Sequence, residues 1–224
     1  MSVETVQVFR HKKLLAAGLL LLTLSLIFLL VFLKPPFSGA RYAGYVLAPA
    51  VAAPAFSLID LNNQTVTLES FQGTYVYLMF GYLNCTEVCH SQVLLLDRLS
   101  KEVKEDDVNY VYISMDPERD GINQLRHYFQ TKSARQFVLR GHNKKKLQTL
   151  ANQFNAPFSY NPVGDSASEA GLTYDISHPG YVFLINPRGY ISLIYTGKLI
   201  DTNMIYKDLI EYKLNHGEGR TDVK

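Results

Sequence analysis

The sequence is poor in several residue types, and each shortage excludes a class of protein. Its 224 residues include two cysteines and no tryptophan, whereas a disulfide-stabilised secreted domain would carry more cysteines, more widely spaced. The formal net charge is only +2, which excludes a strongly basic nucleic-acid-binding protein and a highly charged disordered chain. The sequence has no internal repeat and no glycine-rich nucleotide-binding loop. What remains is a globular chain, long enough for one large domain or two small ones.

The longest apolar run lies near the N-terminus. Residues 14–33 carry only two polar side chains, Thr23 and Ser25, and a helix of this length spans about 30 Å, the hydrocarbon thickness of a bilayer. Most of the flanking basic residues precede the run, so the positive-inside rule keeps residues 1–13 in the cytoplasm. The sequence predicts a single-pass anchor in the inner (cytoplasmic) membrane, with the remaining chain on the periplasmic side. A cleaved signal peptide and a buried core helix are the alternatives, although Lys-Pro-Pro-Phe after the run makes a poor cleavage site.

Composition divides the rest of the chain into three parts. Residues 34–54 are rich in proline, alanine and glycine without a sustained period, which predicts a linker. Residues 55–215 alternate apolar and polar stretches and predict one domain, and residues 216–224 form a polar tail. After the first 34 residues, 18 basic and 19 acidic residues remain, so this part carries a net charge of −1.

The domain alternates predicted strands and helices. A short hairpin comes first, followed by three strand–helix units, an inserted loop or hairpin over residues 156–175, a second hairpin and a final helix. This order predicts an α/β fold whose sheet is parallel at first and antiparallel at its end. Asp116 and Pro117 match a helix N-cap and first helical position, which predicts a helix from there to about residue 130.

The two cysteines follow the predicted strand 74–80 and open the next helix. Cys85 and Cys89 are four residues apart, so both thiols lie on one helix face. A helix N-terminus favours thiolate, and a reactive pair is expected to be exposed there. Two such thiolates can form a disulfide or bind a soft metal ion such as Cu(I) or Zn²⁺. Two buried structural cysteines, or a structural disulfide closing a five-residue loop, are the alternatives.

A metal at this pair needs a further ligand, and the sequence offers six histidines. His178 precedes the predicted strand 181–185, and in a thioredoxin-like sheet that loop lies beside the cysteine turn, so it would complete a Cys₂His site. A solvent-exposed loop histidine is the alternative. His90 follows Cys89 directly but points about 100° away around the helix, so its participation stays open. The remaining four are expected at the surface or in the terminal segments: His11, His127, His142 and His216.

Three motifs resemble the Sco (SenC) family. Residues 80–89, FGYLNCTEVC, resemble its FGYTxCPxxC signature. Residues 113–120, ISMDPERD, are similar to ISxDPxRD, and residues 175–189, DISHPGYVFLINPRG, resemble the family's DHS…YLxxPxG block. The resemblance covers roughly residues 55–212, together with the N-terminal anchor that these proteins usually have.

The resemblance implies a thioredoxin-like fold and a copper ion, Cu(I) or Cu(II), bound by Cys85, Cys89 and His178. It also implies a role in assembling the copper centre of cytochrome c oxidase, as metal donor, as thiol reductant of the target, or both. The partners it implies are the copper-receiving subunit of the oxidase or another copper chaperone.

The chain departs from the family pattern around these residues. Thr86 and His90 stand where the family commonly has proline after each cysteine. Ser177 stands where it has aspartate before the histidine, and Asp175 lies two residues further back. Pro179 follows the histidine, at the place of the cis-proline of redox-active thioredoxin relatives, so we predict a cis peptide bond before it.

Three functions are compatible with these residues. The first is copper binding for oxidase assembly. The second is thiol–disulfide exchange, with Cys85 as the more exposed attacking thiolate and Cys89 as the resolving thiol. The third is peroxide reduction by Cys85. The resemblance favours the first function.

Overall fold

The computed structural model describes residues 18–28, 42–85, 88–103, 105–132, 135–162, 174–197 and 201–216. The chain divides into two compact units, Met1–Arg41 and Tyr42–Lys224. In the first unit, residues 18–28 form helix α1, whose leucines are exposed. Within the described residues, none of the helices has both the length and the apolar character needed to cross a membrane. The remaining residues of the predicted anchor 14–33, its N-terminal flank 1–13 and tail residues 217–224 lie outside the described residues.

The second unit is built on a mixed sheet. Its described strands form an eight-stranded sheet in the order β1-β10-β9-β4-β5-β6-β2-β3, and β7 pairs with β8 in a separate two-stranded sheet. Strands β4, β5 and β6 run parallel, and the other pairings are antiparallel. The strands are β1 Tyr45–Ala52, β2 Ser57–Ile59, β3 Thr65–Thr67, β4 Tyr75–Gly81, β5 Val108–Ser114, β6 Gln136–Arg140, β7 Ser159–Pro162, β8 Tyr174–Ser177, β9 Tyr181–Ile185 and β10 Tyr190–Thr196.

Helices connect the strands and cover the sheet. They are α2 Val88–Glu102, α3 Ile122–Phe129, α4 Lys144–Gln153 and α5 Thr202–His216, with a short 3₁₀ helix at Leu68–Phe71. Every residue of β4 is buried, which explains why its sequence is continuously apolar rather than alternating. Helix α2 buries Val93, Leu96 and Leu99, whose spacing places them on one face. The predicted α/β sheet, with its parallel centre and antiparallel final hairpin, is confirmed, and so is the inserted hairpin.

The first difference from the sequence prediction is strand β1. It pairs with the outer side of β10, so the prediction of a linker over 34–54 is wrong for residues 42–54. The strand contains Pro49, and its pairing is irregular between Val46 and Val51. Proline is tolerated in a strand at a sheet edge, where one side of the backbone needs no partner. The composition of residues 42–54 therefore resembles that of a linker, although the segment is held in the sheet by its pairing with β10.

The second difference lies after β5. Helix α3 begins at Ile122 rather than near Asp116, and residues 117–119 form a turn. The Asp116 side chain is fully buried and binds Arg119 and the hydroxyl of Tyr174. The prediction of a helix running on from Asp116 is wrong, although Asp116 caps the turn: its Oδ1 accepts the N–H of Arg119 at 3.4 Å and its carbonyl accepts the N–H of Asp120 at 2.9 Å. The same carboxylate has a partner 58 residues away in the sequence, which local helix signals do not show.

Candidate metal centre

The two cysteines lie at the carboxyl end of β4. A turn follows the strand, in which the N–H of Cys85 donates to the carbonyl of Tyr82 at 3.2 Å. The described part of α2 begins at Val88, so Cys89 lies in its first turn. Both cysteines are thiols and are not joined in a disulfide. They are buried, with Cys85 7% and Cys89 1% exposed, so the expectation of an exposed pair is wrong, although Cys85 is the more accessible of the two.

His178 reaches the same point from the neighbouring strand. It lies between β8 and β9, and β9 pairs antiparallel with β4, so the start of β9 lies beside the end of β4. Its Nε2 is 3.2 Å from Sγ of Cys89 and 3.9 Å from Sγ of Cys85. The three ligand atoms lie within 4.8 Å of one another. The structure therefore brings together the three residues that the sequence predicted as one site.

The other ring nitrogen of His178 fixes how the imidazole is presented. Nδ1 lies 3.0 Å from the carbonyl oxygen of Pro179. A carbonyl only accepts hydrogen bonds, so this contact favours the form of the imidazole with its proton on Nδ1, in which Nε2 turns a lone pair toward the sulfurs. A histidine held in this way by a backbone carbonyl is the arrangement that metal sites use.

The two thiols differ in their surroundings. The backbone N–H of Cys89 donates to Sγ of Cys85 at 3.3 Å, which favours negative charge on Cys85. The hydrogen bond to Cys85, followed by burial, raises the pKa of the Cys89 thiol. Of the two thiols, Cys85 is therefore the better placed to be a thiolate.

A tyrosine and an aspartate lie directly behind the histidine. The Tyr82 hydroxyl donates to Oδ1 of Asp175 at 2.5 Å, and the Tyr82 ring meets the His178 ring edge-on, with centroids 5.8 Å apart and planes at 80°. The hydrogen bond from Tyr82 lowers the pKa of the Asp175 carboxyl. Burial, followed by this bond, raises the pKa of Tyr82. Sequence reasoning noted Asp175 only as a departure and assigned Tyr82 no role, because no spacing rule connects residues 93 apart.

A second carboxylate supports the cysteine turn. Asp120 accepts hydrogen bonds from the N–H of Leu83 at 3.2 Å and from the Ser114 hydroxyl at 2.6 Å. Burial raises its pKa to about 6, although both hydrogen bonds oppose this shift. The side chain thus joins the end of β5 to the turn that carries Cys85.

The remaining candidate residues lie outside the three-residue cluster. The Nε2 atom of His90 is 3.1 Å from the carbonyl of Leu83, and its ring packs on Tyr128. Gly180, two residues after His178, packs directly on α2: a Cβ there would meet Val88 at 2.2 Å. Thr86 lies outside the described residues, and the cis bond before Pro179 stays a prediction.

The donor atoms decide which metals this cluster can hold. Two thiol sulfurs and one imidazole nitrogen are soft or borderline ligands, which suit Cu(I), Cu(II) or Zn²⁺ better than Mg²⁺ or Ca²⁺. Among the described residues, Cys85, Cys89 and His178 form a group whose side chains can meet at one ion, and it includes no carboxylate. The residues present therefore fit a thiophilic metal bound in a three-coordinate or open four-coordinate site.

Comparison with known proteins gives the same assignment at the level of the family. Residues 47–213 match the SCO1/SenC family model. The chain is 31% identical over 142 residues to a Stutzerimonas stutzeri protein described as copper-binding, a match covering 62% of this chain and 66% of the relative. It is 26% identical over 171 residues to Protein SCO1 homolog 1, mitochondrial, of Arabidopsis thaliana, covering 73% and 48%. The matches thus span from just under half to about two thirds of these relatives' own length, 48% and 66%.

Solved structures show the same fold. Arabidopsis thaliana ScoI with copper bound has a TM-score of 0.63 at 24% identity, covering 74% of this chain and 100% of that one. Apo Sco1 of Thermus thermophilus has a TM-score of 0.65 at 23% identity, covering 76% and 96%. The chain belongs to the SCO1/SenC family and has its thioredoxin-like fold.

Proposed function

We propose that this protein binds copper through the sulfurs of Cys85 and Cys89 and Nε2 of His178, and carries it as cargo for assembly of a copper centre. The observation that carries the proposal is the convergence of these three atoms within 4.8 Å from two different segments of the chain. Thiolate ligands favour copper over the hard divalent ions. The copper bound in the Arabidopsis and Bradyrhizobium japonicum ScoI structures supports the same metal.

The recipient we propose is the copper-receiving subunit of cytochrome c oxidase or another copper chaperone. One solved relative, BsSco, is 21% identical to this chain and is titled a member of the Sco family of cytochrome c oxidase assembly proteins. A carrier must release its metal to a partner, and a three-ligand site leaves room for an incoming ligand from that partner.

We also propose that the chain is tethered to the inner membrane by residues 14–33, with its N-terminus in the cytoplasm and the copper domain on the periplasmic side. The support is the apolar run itself, the helical conformation of residues 18–28 and the excess of basic residues ahead of the run.

Copper titration of the purified protein against a competing chelator tests the copper assignment. His178→Ala removes one of three ligands, so we expect the copper affinity to fall at least about 100-fold. His142→Ala is the matched control, because this exposed histidine lies outside the cluster, and its affinity is expected to equal that of the wild type. Equal affinities of all three proteins would remove His178 from the site.

Thiol–disulfide exchange is the second candidate, and the asymmetry of the two thiols favours it. Cys85 receives the N–H of Cys89, whereas the pKa of Cys89 is raised. In this reaction the Cys85 thiolate attacks a partner's disulfide, forming a mixed disulfide and releasing one partner thiolate. Cys89 passes its proton to that thiolate and attacks the sulfur of Cys85, which breaks the mixed disulfide and releases the second partner sulfur as a thiolate that takes a proton from water. Two electrons reach the partner, and the cysteine pair becomes a disulfide.

Trapping with a synthetic disulfide peptide tests this second function. Cys89→Ser keeps the attacking thiol and removes the resolving one, so the mixed disulfide should accumulate and be visible by mass spectrometry. Cys85→Ser is the control and should form little adduct. An equal yield from both variants, or no adduct from Cys89→Ser, would count against exchange led by Cys85.

A further inference from the structure

The three proposed ligands come from two segments, and the structure shows how these segments are joined beside the site. Tyr82 belongs to the turn that carries Cys85, and Asp175 belongs to strand β8, which leads into His178. We propose that Tyr82, held by the carboxylate of Asp175, is a positioning residue that keeps the His178 imidazole facing the two sulfurs. This inference rests on the copper-binding function and assigns that site two further residues.

The rings of Tyr82 and His178 are in contact. Tyr82 is buried, 4% exposed, and its ring meets the imidazole at 80° with centroids 5.8 Å apart. This is the edge-to-face geometry that aromatic pairs prefer. A ring placed in this way hinders a rotation of the imidazole that would turn Nε2 away from Sγ of Cys89.

The other ring nitrogen of His178, Nδ1, is held from within its own loop. Apart from the two sulfurs, the polar contact of the imidazole among the described residues is the carbonyl of the adjacent Pro179, at 3.0 Å. That carbonyl belongs to the same loop and moves with it. Besides the two sulfurs, the Tyr82 ring therefore adds a contact to the imidazole from outside the loop.

Tyr82 is itself held by a hydrogen bond from its hydroxyl. Its hydroxyl donates to Oδ1 of Asp175 at 2.5 Å, the length of a strong charge-assisted hydrogen bond. The same oxygen accepts the N–H of Ile176 at 2.9 Å, so the carboxylate is held in turn. The bond joins the cysteine turn to the strand that ends one residue before His178.

Asp175 lies on strand β8, which is held in place by contacts of its first residue. The preceding residue, Tyr174, donates its hydroxyl to the buried carboxylate of Asp116 at 2.5 Å. The guanidinium of Arg119 lies 3.8 Å above the Tyr174 ring and donates to the Tyr174 carbonyl at 2.6 Å. Asp175 is therefore presented to Tyr82 from a fixed backbone, as a positioning group requires.

The test compares full-length variants that separate the ring from the hydroxyl. Tyr82→Phe keeps the ring and loses the hydroxyl, and Asp175→Ala loses the acceptor; each is expected to weaken copper binding about tenfold. The double variant should be no weaker than either single one, because both changes break the same bond. Asp175→Asn retains an oxygen that can accept from Tyr82, so it should rescue most of the affinity.

Tyr160→Phe is the matched control. It also loses a tyrosine hydroxyl bond, to the carbonyl of Met115 at 2.6 Å, from the β7 strand of the same hairpin. Its copper affinity should equal that of the wild type. If Tyr160→Phe weakens binding as much as Tyr82→Phe, the effect belongs to general loosening of the hairpin and the proposal is overturned.

Two spectroscopic readouts distinguish positioning from stability. In the Cu(II) protein, the nitrogen hyperfine coupling from His178 should weaken in Tyr82→Phe and recover in Asp175→Asn. In the metal-free protein, long-range ¹H–¹⁵N spectra should show a single Nδ1–H form of His178 in the wild type and a mixture in Tyr82→Phe. Unchanged affinity and unchanged spectra in Tyr82→Phe would overturn the proposal. If the wild type binds no copper, the copper function fails, and the metal-free spectra still decide whether Tyr82 positions His178.

Discussion

Among single residues, burial decides the charge states around the cysteine turn. Asp120 is 1% exposed, and burial raises its pKa to about 6, against an ordinary value of 3.8. The neighbouring Asp116 raises the pKa further, and Arg119 lowers it. The folded protein therefore takes up a proton on Asp120 at a pH where the unfolded chain has already lost it.

This uptake predicts how stability depends on pH. Because the folded-state pKa is raised, the contribution of Asp120 favours folding at low pH and is lost as pH rises from about 4 to about 6. The shift corresponds to a loss on the order of 3 kcal/mol in the free energy of unfolding. In Asp120→Asn, which retains an acceptor for Leu83, this loss should be absent, so the variant should gain stability relative to the wild type as pH rises.

Urea unfolding of wild type and Asp120→Asn at pH 4.5, 5.5, 6.5 and 7.5 measures the effect. The difference between the two proteins should grow in favour of the variant through this series and level off above pH 6.5. A constant difference across the series would mean that Asp120 titrates at its ordinary pKa.

The residues that sequence reasoning identified share one property. Cys85, Cys89 and His178 each lie beside a strand end at the same sheet edge, so strand order alone places them together. Tyr82 and Asp120 act through contacts that depend on side-chain directions in the folded protein, with partners 93 and 37 residues away. Local patterns contain no such information.

Among secondary-structure elements, strand β1 forms one edge of the sheet, and the residues just before it bind a buried carboxylate. The chain just before β1 donates the N–H groups of Ala43 and Gly44 to the carboxylate of Asp208 on α5, at 3.0 and 2.9 Å. Asp208 is buried, and an ionised side chain is tolerated in a protein interior only when it is hydrogen-bonded or paired. Strand β1 and the residues just before it, Ala43 and Gly44, are therefore part of the folded domain.

Truncation tests this assignment. A protein beginning at Tyr42 keeps β1 and both donors to Asp208, so its domain should unfold at the same urea concentration as in the full chain. A protein beginning at Ala53 loses the strand and leaves the carboxylate without these donors, which should cost about 3 kcal/mol or more. Equal unfolding midpoints for the two truncated proteins would show that β1 does not support the domain.

The elements that sequence reasoning predicted well have strong patterns of their own. Strand β4 is an unbroken apolar run, and α4 repeats apolar residues at helical spacing, so both were expected where they occur. Strand β1 has no such pattern, since its sequence contains a proline and three alanines. It forms a strand through its pairing with β10, which the local sequence does not show. Asp116 caps only the turn over residues 117–119, and helix α3 begins later, at Ile122. The carboxylate also binds the Tyr174 hydroxyl, a contact that the local helix signal does not show.

For the molecule as a whole, the mixed sheet explains how the two cysteines come to lie beside His178. The parallel pairing of β4 with β5 and the antiparallel pairing of β4 with β9 place the end of one strand beside the start of another. The cysteine turn, Asp120 and His178 meet at this edge, as functional groups do in open α/β sheets. Both proposed functions, copper binding and thiol exchange, use the two cysteines at this edge, and copper binding adds His178 as a ligand.

X-ray absorption spectroscopy of the copper-loaded full-length protein tests the central claim most directly. The account predicts a copper ion surrounded by two sulfur atoms and one imidazole nitrogen. In His178→Ala the imidazole scattering should be lost while both sulfurs remain, and in His142→Ala the spectrum should equal that of the wild type. Imidazole scattering that persists unchanged in His178→Ala, or a wild-type spectrum without sulfur ligands, would contradict the account.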